Sequence, residues 1–362
     1  MSLSVGIVGL PNVGKSTLLN ALTHAGAEAS NYPFCTIENN VGVAAVPDPD
    51  LIRLEQILEP EEAIPTSVRF VDIAGLVEGA SRGEGLGNKF LAHIREVDAI
   101  IHVVRCFDDE NVIHSPGSPD PLRDVGIVET ELLLADLETA KKNKEHWIRT
   151  VHHGTGAGKL EAAAFAHAEE ALKNGVEIID HECDEKERLA LSEVSFLTAK
   201  PRLYVANTGE DDPSGTSGLG AALREAKGSE RVIPVAVEIE EEISQLSPEE
   251  QNEFLQDLGL EETALHHVIR ACYRLLDLIT FYTIANNKLR AWQLPAGGVA
   301  AQAAGKIHSD MEKGFIRAEV MALANLVELG SRHALHEKGL IQIVGRDHVV
   351  QDRDVIQIHF KA

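Results

Sequence analysis

No apolar run in this chain approaches the roughly 20 residues that a membrane-crossing helix needs. The opening residues, MSLSVGIVGLPNVGKST, enter a strand pattern directly, with no basic segment or cleavage site ahead of it. These two absences argue against membrane insertion and secretion, and point to the cytoplasm. Cysteine is scarce as well: Cys35, Cys106, Cys183 and Cys272 stand far apart with no Cys-x-x-Cys pair, which argues against a disulfide framework and against a zinc site. Positive charge is the third shortage. Against 57 Asp and Glu there are only 33 Lys and Arg, a net charge of −24. Such a balance repels phosphate backbones at long range, so DNA is not an expected partner and any RNA contact has to use a local basic patch.

What is present describes a globular enzyme of several cores. The chain has 362 residues, 44% hydrophobic and 25% charged, enough for two or three domains. Residues 4–8 read as a buried strand, then comes a glycine-rich loop, then a helix from Lys15 with Leu18, Leu19 and Leu22 on one side. That is the opening unit of a parallel α/β sheet. Further strands are expected at 41–46, 67–72, 99–104, 202–206 and 232–237. Between the last two and the rest lies an insertion at 129–199, expected to form two antiparallel helices around a turn at 154–158. Lys141, Lys142, Lys144, His146, Arg149, His152, His153 and Lys159 collect toward its tip; a solvated helical face with i,i+4 pairs accounts for them as well as an RNA or partner contact does. The acidic run from Glu238 to Glu242 reads as the solvated start of a connecting helix. From about 280 the pattern becomes short strands and turns around a helix-like stretch at 300–314. The expected domains are therefore a discontinuous nucleotide domain (1–128 and 200–278), the helical insertion (129–199) and a β-rich terminal domain (279–362).

The segment GLPNVGKST at 9–17 matches G-x-x-x-x-G-K-[ST] between a strand and a helix. In that context the backbone of Asn12, Val13, Gly14, Lys15, Ser16 and Thr17 wraps phosphates, the Lys15 ammonium reaches the β/γ-phosphates, and the Ser16 hydroxyl ligates Mg²⁺. Two partial copies fail. GTGAGKL at 154–160 has His153 for the first glycine and Leu160 for Ser/Thr, and AAGKI at 303–307 has Ala300 and Ile307 there; both are expected to be turns. Asp72-Ile-Ala-Gly75 closes a strand as a D-x-x-G segment does, with Asp72 toward a Mg²⁺-bound water and the Gly75 N–H toward a γ-phosphate. Thr36 lies between the two motifs as a third candidate Mg²⁺ ligand. The glycine-rich stretch 76–90 reads as a switch segment.

Two expected groups are missing from this site. After the strand at 202–206 a guanine-binding protein should carry Asn-Lys-x-Asp, whose Asp accepts hydrogen bonds from guanine; here the residues are Asn207, Thr208, Gly209 and Glu210. Thr208 has no stem to pack on a base, and Glu210 is one methylene longer, so the main reason to exclude ATP is weakened. A plain turn explains Asn207 and Gly209 equally well. The second missing group is the water-orienting Gln after D-x-x-G, where Leu76 stands.

The succession GLPNVGKST, NYPFCTIENNVGV, DIAGLVEGASRGEGLGNKFL, VRCF, NTGED and QAAGKIHSDMEKGFIRAEV resembles the Obg-related YchF-type ATPases, also called Obg-like ATPases, over nearly the whole chain. The resemblance implies a G-domain-like P-loop sheet with an inserted helical coiled-coil hairpin and a terminal β-grasp (TGS) domain. It implies slow, Mg²⁺-dependent hydrolysis of ATP, with GTP weaker, and a ribosomal or ribosomal-RNA partner. It also implies that His114 supplies the function of the missing Gln. From the residues alone, a GTP-hydrolysing translation factor and a nucleotide-gated binding module with incidental turnover stay open. A small-molecule kinase is disfavoured because D-x-x-G and the switch stretch serve conformational sensing.

Overall fold

A computed structural model of the chain describes residues 3–25, 40–73, 86–114, 117–152, 158–257 and 262–361. The candidate residues Thr36 and Gly75, Leu76 and most of the switch stretch, and the turn at 154–157 lie outside the described residues.

The chain opens with β1 (Ser4–Val8), α1 (Lys15–Ala25), β2 (Val41–Ala45), α2 (Pro49–Leu58), β3 (Glu62–Ile64) and β4 (Ser67–Asp72). It continues with α3 (Leu86–Glu96), β5 (Ala99–Arg105), α4 (Pro121–His152), α5 (Lys159–Lys173) and α6 (Glu185–Ser192). Then follow β6 (Arg202–Asn207), α7 (Gly218–Lys227), β7 (Val232–Val235), α8 (Val237–Ser244), α9 (Pro248–Asp257) and α10 (Ala264–Leu275). The last part holds β8 (Leu278–Ala285), β9 (Lys288–Pro295), α11 (Ala300–Ile307), α12 (Ser309–Lys313) and β10 (Phe315–Ala322). It closes with α13 (Leu323–Leu329), α14 (Arg332–Glu337), β11 (Gln342–Val344) and β12 (Asp354–Phe360).

One six-stranded sheet has the order β2-β4-β1-β5-β6-β7. β1 runs parallel to β4 and β5, β5 to β6, and β6 to β7. Every residue of β1 and β5 is buried, which is why these strands read as continuous apolar runs rather than alternating ones. Because β1 feeds neighbours on both sides, the carboxyl ends of β1, β4, β5 and β6 open a crevice where such sheets bind ligands. The inserted helix α4 begins at Pro121, earlier than the 129 expected, and packs on α5 through Ala140, Ala164, Phe165, Ala168 and Leu172. Two of its basic residues are in i,i+4 pairs, Lys142 with Glu138 and Arg149 with Glu145, and Lys144 pairs with Glu169. α6, which the pattern did not announce, closes the same cluster through Ala190 and Leu191.

The second sheet has the order β11-β10-β12-β8-β9-β3. The described residues divide into two compact units, one of residues 3–25, 40–42 and 69–267, the other of 43–68 and 268–361. This differs from the expected boundaries, which left 43–68 with the nucleotide domain. The cause is local: β3 pairs with β9, and Leu51 and Leu54 of α2 share a core with Tyr282, Leu289 and Val355. Asp48 caps α2 by accepting from the backbone N–H groups of Asp50 and Leu51, each at 3.0 Å, and the Tyr282 hydroxyl donates to it. Pro49 at the first helical position suits that cap. The insertion 129–199 likewise falls inside the first unit.

Three local expectations change. AAGKI at 303–307 is not a turn; in keeping with the helix-like pattern of 300–314, it is the end of α11, whose Ala300, Ala303 and Ala304 are buried. The stretch HVVQD at 348–352, one of the short strands expected after 280, forms no strand, only a bridge from Val349 to Val299. Glu240 is not a solvated helix start: it is buried and accepts from the N–H groups of Ala264 (2.8 Å) and Leu265 (3.4 Å), capping α10. No described helix is long and apolar enough to cross a membrane.

Candidate nucleotide site

The loop between β1 and α1 is shaped by two glycines. Gly9 has φ +153° and its hydrogen points at the Val103 carbonyl, so a side chain there has no room. Gly14 has φ +94°, and a Cβ on it would lie 2.5 Å from Asn207 Nδ2. Asn12 adopts φ 60°, a conformation Asn tolerates better than most residues. Lys15 is buried, with Nζ donating to the Leu10 carbonyl at 2.7 Å across the loop. Burial lowers the Lys15 pKa, and the negative charge of Asp72 partly opposes this. The Ser16 hydroxyl donates to Asp72 Oδ2 at 2.6 Å, while Asp72 Oδ1 is buried with no partner among the described residues. Lys15 and Ser16 therefore meet Asp72, 56 residues beyond Ser16 in sequence, at the carboxyl ends of β1 and β4.

Asn207 closes β6, in register with Arg105 of β5 and Val235 of β7. Its amide donates to the Val13 carbonyl at 3.0 Å and accepts from the Val237 N–H at 3.3 Å. One amide hydrogen remains for a ligand; the rest of the side chain ties the phosphate loop to the start of α8. Thr208 is buried, its N–H bonded to the Val235 carbonyl at 3.0 Å, and its hydroxyl has no partner among the described residues. Next to the loop opens a cavity of about 420 Å³ lined by Asn12, Gly14, Thr17, Asn207, Val237 and Glu238, together with Phe107 and 111–113. Glu210 is exposed and absent from that lining. The acidic residue on the wall is Glu238, which the sequence reading passed over as part of a solvated acidic run.

The sequence reading also missed Arg105. Only 1% exposed, it donates to the carbonyls of Phe107 (3.1 Å), Val112 (2.8 Å) and Asp109 (3.0 Å). One guanidinium thus shapes the loop that forms the cavity's far wall. Asn12 Nδ2 donates to the Ile113 carbonyl at 3.1 Å, joining that loop to the phosphate loop. His114 follows directly. Its ring is 2% exposed and its Nε2 lies 2.7 Å from Asp124 Oδ2 in the first turn of α4. Its Nδ1 is buried with no partner among the described residues.

This fold and loop define a P-loop protein of the GTPase-like α/β class. Residues 4–146 match a family model described as a 50S ribosome-binding GTPase, and residues 278–361 match one named YchF-GTPase_C, described as a protein of unknown function. The chain is 48% identical over 364 residues to the "Ribosome-binding ATPase YchF" of Haemophilus influenzae, covering all of both chains. It is 45% identical over 367 residues to the protein of that name in Bacillus subtilis, again covering all of both. Among solved structures, the Schizosaccharomyces pombe YchF GTPase superposes with a TM-score of 0.89 at 34% identity, covering 99% of this chain and 98% of that one. The chain belongs to the YchF family.

Proposed function

We propose that the chain is a Mg²⁺-dependent ATPase that accepts GTP less well and acts as a nucleotide-dependent switch on the ribosome in the cytoplasm. The observation that carries the base preference is the composition of the cavity beside the phosphate loop: Asn207 is on its wall and Glu210 is not. With Glu210, which stands where Asn-Lys-x-Asp proteins hold their Asp, exposed off the cavity, guanine loses the hydrogen bonds that would favour it over adenine. The relatives named above carry "ribosome-binding" and "ATPase" in their names, which supports both halves of the reading.

Ser16 and Asp72 suit Mg²⁺: both offer oxygen donors, and Asp72 Oδ1 is buried and otherwise unpartnered. Thr36 is proposed as a further ligand. Bound there, the ion would neutralise charge on the β- and γ-phosphate oxygens. The chain's own part is to wrap the phosphates with the N–H groups of residues 12–17, to set the Lys15 ammonium against them, and to meet the γ-phosphate with the Gly75 N–H. His114 orients the attacking water in place of the missing Gln. The water oxygen bonds to the γ-phosphorus, the bond to the bridging oxygen breaks with its electron pair left on ADP, and the water's proton ends on the released phosphate. In this reading the helical pair α4–α5 is a coiled-coil arm and residues 279–362 a TGS-like domain, the two surfaces available to ribosomal RNA or protein.

Dissociation constants for ATP and GTP with Mg²⁺, followed by phosphate release and by ribosome pelleting with and without ATP at two salt concentrations, test the proposal. ATP is expected to bind more tightly and to change the pelleted fraction. Tight GTP capture with ATP ignored overturns the base assignment.

A further inference from the structure

The His114 ring is held by a carboxylate that is itself unusually well fixed. Asp124 Oδ2 takes His114 Nε2 at 2.7 Å, and Oδ1 takes Arg123 Nε at 3.1 Å and Nη2 at 2.9 Å. Arg123 Nη2 also donates to the Ser118 carbonyl at 2.7 Å, so the guanidinium cannot swing away freely. Asp124 sits in the first turn of α4, and the same helix is anchored on the sheet one turn later through Glu129. That carboxylate accepts from Lys227 at 2.7 and 2.8 Å, from the Tyr204 hydroxyl at 2.6 Å and from Arg202 at 3.3 Å. The loop bearing His114 is held from the other side by Arg105 and by Asn12. Ring and carboxylate are thus both carried on rigid supports, the condition for orienting a group to better than an ångström.

A carboxylate oxygen only accepts, so Nε2 carries the hydrogen, and in the neutral ring Nδ1 keeps its lone pair. A buried nitrogen left without a partner costs free energy, and such cost is carried where function needs it. We propose that Asp124 is a positioning residue for hydrolysis: by holding Nε2–H it fixes His114 in the tautomer and orientation whose Nδ1 lone pair accepts a hydrogen bond from the attacking water. The arrangement follows the logic of hydrolytic sites in which an acid holds one ring nitrogen so that the other can work. Arg123 keeps the carboxylate aimed; burial, and then the Asp124 charge, push the Cys106 thiol up to about 12, so it stays neutral. The proposal rests on the reading of His114 given above.

The test uses the full-length protein with ATP and Mg²⁺. Nitrogen-15 NMR of the wild-type histidines, with His114→Ala to assign the resonance, is expected to give the Nε2–H tautomer for His114; an Nδ1–H tautomer overturns the proposal without any mutant having to fold. In single-turnover hydrolysis, His114→Ala is expected to lose about 100-fold in rate. Asp124→Asn should lose at least about tenfold with ATP affinity and melting temperature near wild type, and the double variant should be no slower than His114→Ala, since the two residues act as a unit. If His114→Ala turns over normally, the water-orienting reading of His114 fails and takes this proposal with it. If His114→Ala is slow and Asp124→Asn is not, only the proposal fails. Loss confined to ATP affinity or to melting temperature in Asp124→Asn makes the carboxylate a structural group and overturns it too.

Discussion

The two ends of the nucleotide site are built on different plans. At the phosphate end, the proposed contacts are six consecutive backbone groups, residues 12–17, in the loop between β1 and α1, with one short side-chain pair, Ser16 to Asp72 of the neighbouring β4 at 2.6 Å. At the base end, the cavity wall is assembled from four distant segments: the phosphate loop, residues 107–113 after β5, Asn207 after β6, and Val237 and Glu238 at the start of α8. Asn207 belongs to both ends, since it bonds Val13 of the loop and Val237 of the wall. A local plan tolerates little change inside its motif and is indifferent to the rest of the chain. A distributed plan can lose or exchange a base-reading group while the phosphate end stays intact, which is how a site of this class can depart from Asn-Lys-x-Asp.

The largest effect should come from the group that organises the base end alone. Arg105→Ala removes donors from the carbonyls of Phe107, Asp109 and Val112 at once. Denaturant unfolding should show a loss of about 2–4 kcal/mol, and affinity for ATP and GTP should fall together because the wall moves. Unchanged stability would mean that the wall stands without its guanidinium. The next effect belongs to the phosphate end. Gly14→Ala forces an alanine to φ +94° with its Cβ against Asn207 Nδ2. Strain of about 1–3 kcal/mol should weaken both nucleotides by about 10- to 100-fold in titration calorimetry, without altering their ratio. A change in ratio would show that the two ends are less separate than the geometry makes them.

The same contrast explains what was legible in the sequence. The phosphate loop, its strand and its helix were readable because glycine at positive φ, Lys and Ser at fixed spacing are dictated by local geometry; Lys15, Ser16 and Asp72 duly converge. The central strands β1 and β5 were readable because strands buried on both faces are mostly apolar, while β2 and β4 alternate in burial. What escaped notice depends on tertiary placement. Arg105 ends a mostly apolar strand and gives no hint that its partners are three carbonyls of the next loop. Glu240 sits in an acidic run, and only the position of α10 makes it a cap. The affinity of 43–68 for the C-terminal unit comes from β3 pairing with β9 and from Leu51 and Leu54 finding a core more than two hundred residues away in sequence. Helices α13 and α14 are short enough to be hidden between strand patterns. His114 was singled out by resemblance, but its carboxylate partner ten residues on, Asp124, was not.

The smallest effects bear most directly on the base. Two carboxylates compete for the role of reader: Glu210, which stands in the motif position but is exposed off the cavity, and Glu238, which lines it next to the residue whose N–H holds the Asn207 amide oxygen. Adenine presents a donor amine at C6 where guanine presents an acceptor oxygen, so a carboxylate facing that edge favours ATP and disfavours GTP. An exposed carboxylate is worth about 0.5–1 kcal/mol in such a contact, which is about a two- to fivefold change in affinity. Competition of ATP and GTP for a fluorescent nucleotide should therefore move toward GTP by that factor in Glu238→Ala and by less than about twofold in Glu210→Ala. Should Glu210→Ala shift the ratio while Glu238→Ala leaves it alone, the base is read from the motif position after all, and the distributed plan of this end loses its functional meaning.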